Sequence, residues 1–145
     1  MKHLANCSNE EFLIQTNKIR KAAAGWLKDT KILEIRKNQP KLKPITPDMD
    51  DAKAAKIKAE NDLKYREQVR KNISDMLDAA LETNAKKTSE LLALLCFVEP
   101  KDAESHKMTE YLKAFGEMIA DEDVMDFFTS LMRLANKNIF GTVNQ

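Results

Sequence analysis

The sequence predicts an all-α protein: a single helical domain of about six helices, with one long central helix and one short buried apolar helix. Three observations carry that expectation. Only three glycines and four prolines punctuate 145 residues, while Ala, Leu, Lys, Glu and Met, which give up little side-chain freedom in a helix, dominate. Apolar residues recur at spacings of three and four, the period of a helix face. The one run that has the length of a strand, residues 91–98, holds a single β-branched residue, Val98, and no second strand candidate exists to pair with it. A chain of 145 residues is long enough to bury a core as one domain spanning 1–145.

The first helix is announced by Ser8 and Glu11, a capping box in which each side chain satisfies the other's free backbone N–H. Phe12, Thr16, Ile19, Ala23 and Trp26 then form an apolar stripe, and Gly25 marks an end or a bend. A short helix over 29–37 offers Ile32, Leu33 and Ile35 to the core. Residues 38–47, "NQPKLKPITP", carry three prolines and form the linker between this helical pair and the rest. Thr46 before Pro47 makes a cap and first-turn pair for a long helix over 47–82.

The first half of the long helix is held by i,i+4 pairs (Glu60 and Lys64, Asp62 and Arg66, Glu67 and Lys71) rather than by burial, and so projects into solvent or meets another copy. From Ile73 onward, Met76, Leu77, Ala80 and Leu81 join the core. After a break at Thr83 and Asn84, Thr88 or Ser89 caps a short helix over 90–98. Thr109 caps a helix whose face is Tyr111, Leu112, Phe115, Met118 and Ile119. Asp121 caps a last helix carrying Val124, Met125, Phe127, Phe128, Leu131, Met132, Leu134 and Ala135, with a loosely ordered tail from 136.

The short helix contains eight apolar residues in succession, 91–98. A bilayer span needs roughly 20, so the run reads as a core helix, apolar all round and sheathed by the long helix and the two C-terminal ones.

Composition and motifs exclude more than they assign. A net charge of +1 gives no general attraction to nucleic acid or anionic membranes. The charge is unevenly spread, with 17 Lys/Arg against 10 Asp/Glu in residues 1–72 and 7 against 13 in residues 73–145. Such a dipole suits halves that fold on each other, or copies that associate head to tail. No phosphate-binding glycine loop, HExxH, GxSxG or EF-hand motif is present, so neither a catalytic constellation nor a cofactor is expected. His3, Cys7, Cys96 and His106 are the only Cys and His residues, and their spacing matches no usual zinc module. Both histidines stand in polar segments that read as exposed. Without an apolar stretch near the N-terminus, free thiols in a reducing cytoplasm are expected.

Asp121, Glu122, Asp123 and Asp126 read as helix N-terminal carboxylates rather than metal ligands. Lys53, Lys56, Lys58, Lys64, Arg66, Arg70 and Lys71 are interleaved with carboxylates and lack stacking aromatics beyond Tyr65, which favours a solvated helix face over a nucleic-acid stripe. Methionines concentrate in the last two helices beside three phenylalanines. Such soft, adaptable side chains suit surfaces that accept varied apolar partners. The expected partner-binding residues are Met118, Met125, Phe127, Phe128 and Met132, and those expected to contact another copy are Ile57, Leu63, Tyr65, Arg66 and Arg70.

The stretches "HLANCSNEEFLIQTNKIRKAAAGWLKDTKILEIRKNQP", "ELLALLCFVEP" and "EYLKAFGEMIADEDVMDFFTSLMRLA" resemble the tail assembly chaperones encoded among the tail genes of bacteriophages and prophages of Gram-positive bacteria. The resemblance rests on overall pattern and length rather than on an invariant motif. It implies a non-enzymatic, self-associating cytoplasmic protein whose partner is the helix-rich tape measure protein, with no catalytic residues. The competing expectation is a nucleic-acid-binding or regulatory phage protein that uses the basic first half.

Overall fold

The computed structural model describes the backbone of residues 1–143 and the side chains of these except Met132 and residues 135–143. The protein is all-α. Its helices are α1 (Asn9–Thr30), α2 (Ile32–Arg36), α3 (Asp51–Asp78), α4 (Ala85–Leu95), α5 (Met108–Ala120) and α6 (Glu122–Val143), with a π-helical turn at Ala79–Thr83 and a 3-10 turn at Pro100–Ser105. No strand occurs among the described residues. The chain groups into two compact units, Met1–Ala23 with Ser89–Gln145, and Ala24–Thr88.

In the first unit the predicted capping box forms. Ser8 N–H donates to Glu11 Oε2 at 3.0 Å and Glu11 N–H to Ser8 Oγ at 3.3 Å. Lys2 Nζ also reaches Glu11, and that contact, more than the Ser8 backbone, holds the carboxyl down to about 2. The α1 stripe buries Thr16 and Ile19. Gln15 is buried beside them, and its amide donates to the Leu94 carbonyl at 2.5 Å. Gly25 does not end α1, which continues to Thr30.

The apolar run is the heart of this unit. Ala93 and Cys96 pack with Ala103, Tyr111 and Ala114, and Leu94 packs with Leu4, Ile19 and Met118. Tyr111 is the largest fully buried side chain, and its hydroxyl donates to the Ala103 carbonyl at 2.6 Å. Burying a ring of that size contributes about 1.5–3 kcal/mol, and the hydrogen bond prevents its hydroxyl from offsetting the gain. The helical part of the run stops at Leu95. Phe97 takes a left-handed conformation (φ 58), Val98 N–H bonds the Ala93 carbonyl and Phe97 N–H the Leu94 carbonyl, a Schellman C-cap with phenylalanine where glycine is usual. Packing of the Phe97 ring against the Leu4, Ile19 and Leu94 cluster compensates the strain.

The start of α5 is set by Glu110, whose carboxylate accepts the Lys107 N–H at 2.8 Å, rather than by Thr109. Asp121 does cap α6, accepting the Val124 N–H at 3.1 Å. The backbone from 136 onward is helical through Val143 rather than loose.

The second unit corrects several boundaries. Lys31, in the left-handed region (φ 55), separates α1 from α2. Leu33 is exposed, so only Ile32 and Ile35 are partly covered. Helix α3 begins at Asp51 instead of residue 47: Asp50 accepts the Lys53 N–H at 2.7 Å, while Thr46 bonds Asp48 in the preceding turn. The ion pairs of α3 are Lys71 with Asp75 at 3.4 Å and Glu60 with Lys43 at 2.9 Å, not the i,i+4 pairs the sequence suggested.

The Pro-rich segment is fastened along α3. Asn61 accepts the Lys43 N–H and donates to the Lys43 carbonyl, both at 2.9 Å, and buried Asn72 donates to the Asn38 carbonyl at 3.0 Å. Residues 38 and 43 thus pair with 72 and 61, antiparallel to the helix. Eleven helical steps rise about 16.5 Å, and five residues cover that distance only when almost fully extended, at about 3.3 Å each. The prolines keep the segment in that conformation.

Helix α3 ends in the π turn, and α4 follows directly from Asn84, so neither Thr88 nor Ser89 is its cap. The Asn84 side chain donates to the Ala79 carbonyl at 2.8 Å. Thr88 Oγ1 donates to the Ala80 carbonyl at 2.6 Å and accepts the Trp26 indole N–H at 2.8 Å, which ties the turn to α1.

Candidate functional site

The first unit carries an open groove of about 260 Å³ lined only by apolar side chains: Leu4, Leu95, Phe115, Met118, Ile119, Val124, Met125 and Phe128. Its geometry follows from helix periodicity. On α5, Tyr111, Ala114 and Met118 point to the core, and the neighbouring positions Met108, Leu112, Phe115 and Ile119, three or four apart, stay exposed. On α6, Val124 is buried and Phe128 half-buried, with Met125 at the mouth, 41% exposed. Leu4, from the segment before the first cap, closes one side.

Glu122, three residues before Met125 and on its side of α6, is exposed, and so is Asp126, one turn after Glu122. Carboxylates here, in the first turns of α6, are favoured by the helix dipole.

Three of the five residues expected to bind a partner therefore meet in one groove. Met118, at 3% exposure, forms its floor and is a core residue as well, a correction to its expected place on the surface. Phe128 forms a wall and Met125 the mouth. Phe127 turns away, its ring edge-on to Phe12 with centroids 5.0 Å apart. It lines a separate, more polar hollow of about 290 Å³ with Cys7, Asn9, Asp121 and Asp123. The expected role of Met132 lies outside the described residues.

Leu4, Leu95, Phe115, Ile119 and Val124 were absent from the expected binding set. The stripe on α5 announces Phe115 and Ile119, but periodicity does not separate a face that packs inward from one left open. Leu4 has no periodic signal, standing before the capping box among residues that form no helical stripe.

Of the expected self-association set, Leu63, Tyr65, Arg66 and Arg70 are exposed. Ile57 is half-buried. Val69, Ile73, Leu77 and Leu81 are exposed too, which corrects the expectation that Ile73, Leu77 and Leu81 enter the core. Only Met76 and Ala80 of that group are half-buried. The basic residues of α3 do not make one stripe. At 100° per residue, Lys53, Lys64 and Lys71 fall on one side, Arg66 and Arg70 on the other and Lys58 between them.

His3 is buried, 4% exposed, against its expected exposure. The Ala5 N–H donates to Nδ1 at 3.2 Å, so the ring hydrogen is on Nε2, which donates to Glu117 Oε2 at 2.8 Å. This pair lines a polar hollow of about 190 Å³ with Met1, Glu110 and Lys113. Among the described residues no three His, Cys, Asp or Glu side chains converge as metal ligands. Cys96 is in the core, where burial pushes its thiol up to about 11.

Compared with known proteins, the chain matches no family model, no curated protein and no solved structure. No helix among the described residues is long and apolar enough to cross a membrane.

Proposed function

We propose that this chain is a non-enzymatic phage or prophage tail assembly chaperone acting in the host cytoplasm, which receives an apolar helix of the tape measure protein in the α5–α6 groove and associates with copies of itself. The observation that carries the reading is the groove: open, lined without a polar side chain, with Met118 at its floor and Met125 at its mouth. An amphipathic helix lays its apolar stripe into such a groove, and the thioether side chains adapt to residues of differing shape. A tape measure, long and helical, offers many such stripes before tube subunits enclose it. Nothing in the groove is suited to proton transfer or nucleophilic attack, because it holds no titratable side chain.

The test is co-expression with a segment of the tape measure protein that is insoluble alone. The wild type is expected to bring the segment into the soluble fraction and to co-purify with it, whereas Met125→Asp, folded by circular dichroism, is expected to leave it insoluble. A segment no more soluble with the wild type than without it contradicts the proposal.

A further inference from the structure

The Pro-rich segment is extended, fastened to α3 along one edge and bare along the others. Pro40, Pro44 and Pro47 have φ locked at about −65°. The residues before them, Gln39, Lys43 and Thr46, are confined to the β and polyproline II regions. Six of the nine residues 39–47 therefore have little conformational freedom left to lose.

A polyproline II chain turns once every three residues and rises about 3.1 Å at each, so it has three edges. One edge meets α3. Lys43 bonds Asn61 through both its N–H and its carbonyl, its ammonium reaches Glu60 at 2.9 Å, and Pro40, one turn earlier, is half-buried. The second edge carries Lys41, Pro44 and Pro47, spaced about 9 Å apart, and all three are exposed. The third carries Leu42 and Ile45, 51% and 48% exposed. Two prolines one turn apart, with a cation one turn ahead of them, thus stand on a single outward edge.

The backbone is open as well. Among the described residues none donates a hydrogen bond to the carbonyls of Lys41, Leu42, Pro44 or Ile45, and none forms an ion pair with Lys41 within 4.0 Å. With Lys43 paired to Glu60, the ridge offers apolar surface and a single remaining charge. That chemistry suits a protein groove better than a phosphate backbone.

We propose that residues 41–47 are a ligand for a proline-recognising domain of another protein, whose groove is lined by aromatic side chains and ends in a carboxylate. Pro44 and Pro47 lie between the aromatic rings, Tyr hydroxyls or Trp N–H groups of the groove donate to the bare carbonyls, and Lys41 meets the carboxylate. Such grooves take proline-rich chains because the bound conformation is already formed. Here α3 holds that conformation in place, which lowers the ordering cost of binding further. The site uses no residue of the α5–α6 groove, so it stands or falls apart from tape measure binding.

The test is a titration of an isotope-labelled SH3 domain, of the class that takes PxxP ligands led by a basic residue, with the full chain, read by NMR chemical shifts. The wild type is expected to shift the aromatic-groove resonances saturably. Pro44→Ala with Pro47→Ala is expected to abolish the shifts, and Lys41→Glu to weaken binding at least about tenfold. The same domain with its groove tryptophan replaced by alanine is expected to show no shifts.

A wild type that causes no shifts overturns the proposal. So do shifts that the proline variant reproduces at the same concentration, or shifts that persist in the domain without its tryptophan. Circular dichroism shows whether the proline variant keeps its helices. If it does not, Lys41→Glu, a change at an exposed side chain, decides, and affinity equal to the wild type overturns the proposal.

Discussion

Burial takes the Cys96 thiol from an ordinary 9.0 to about 11. Between those values the folded chain keeps a proton that the unfolded chain has released. The stabilisation is therefore complete below pH 9 and is lost as pH rises through 11. Melting temperature is expected to fall over that window, and to fall less steeply in Cys96→Ala. An equal slope in the two proteins contradicts this account of the thiol. Lys31 poses a backbone question instead. Its left-handed conformation costs an L-residue about 1–2 kcal/mol, and glycine recovers most of that while losing about 0.5–1 kcal/mol of unfolded-state entropy. Lys31→Gly is expected to stabilise by up to about 1 kcal/mol in urea unfolding, and a destabilised variant contradicts it. At this scale the sequence was legible where partners lie three residues apart, as in Ser8 with Glu11 and Asp121 with Val124. It was opaque for His3 and Glu117, joined across 114 positions, because a local pattern does not reveal a distant partner.

Element positions were legible almost throughout, since apolar spacing and a scarcity of glycine and proline leave few alternatives to helices. Boundaries moved where a side-chain cap competed with another nearby, as Asp50 displaced Thr46 and Glu110 displaced Thr109. The fastening of residues 38–43 to α3 was not legible, because prolines dictate an extended chain without saying what it lies against. Asn61 makes two hydrogen bonds to Lys43, worth about 0.5–1.5 kcal/mol each. Asn61→Ala is expected to free the segment and speed tryptic cleavage after Lys41 about tenfold, with helical content unchanged. Cleavage at the wild-type rate contradicts the fastening. The apolar stripe on α3 makes the converse point. Its period predicted that Ile73 and Leu77 enter the core, yet both are exposed, because a period does not say whether any surface of the chain covers the stripe.

For the whole molecule, the central claim is that an apolar helix enters the α5–α6 groove. The groove was half legible: methionine and phenylalanine enrichment pointed to the right helices, and the structure exchanged Phe127, spent on Phe12, for Phe115 and Ile119. That exchange separates binding from folding. Phe127→Asp is expected to unfold the first unit, whereas Ile119 and Met125, exposed at the mouth, can be altered without touching the core. Each of these side chains contributes about 1.5–3 kcal/mol when fully covered, and tenfold in affinity corresponds to about 1.4 kcal/mol. The decisive measurement is a fluorescence anisotropy titration of a labelled amphipathic tape measure helix with wild type, Ile119→Asp and Met125→Asp. Saturable binding by the wild type, weakened at least tenfold in each folded variant, is the predicted result. Equal affinity for all three proteins, or no binding by the wild type, would contradict the claim.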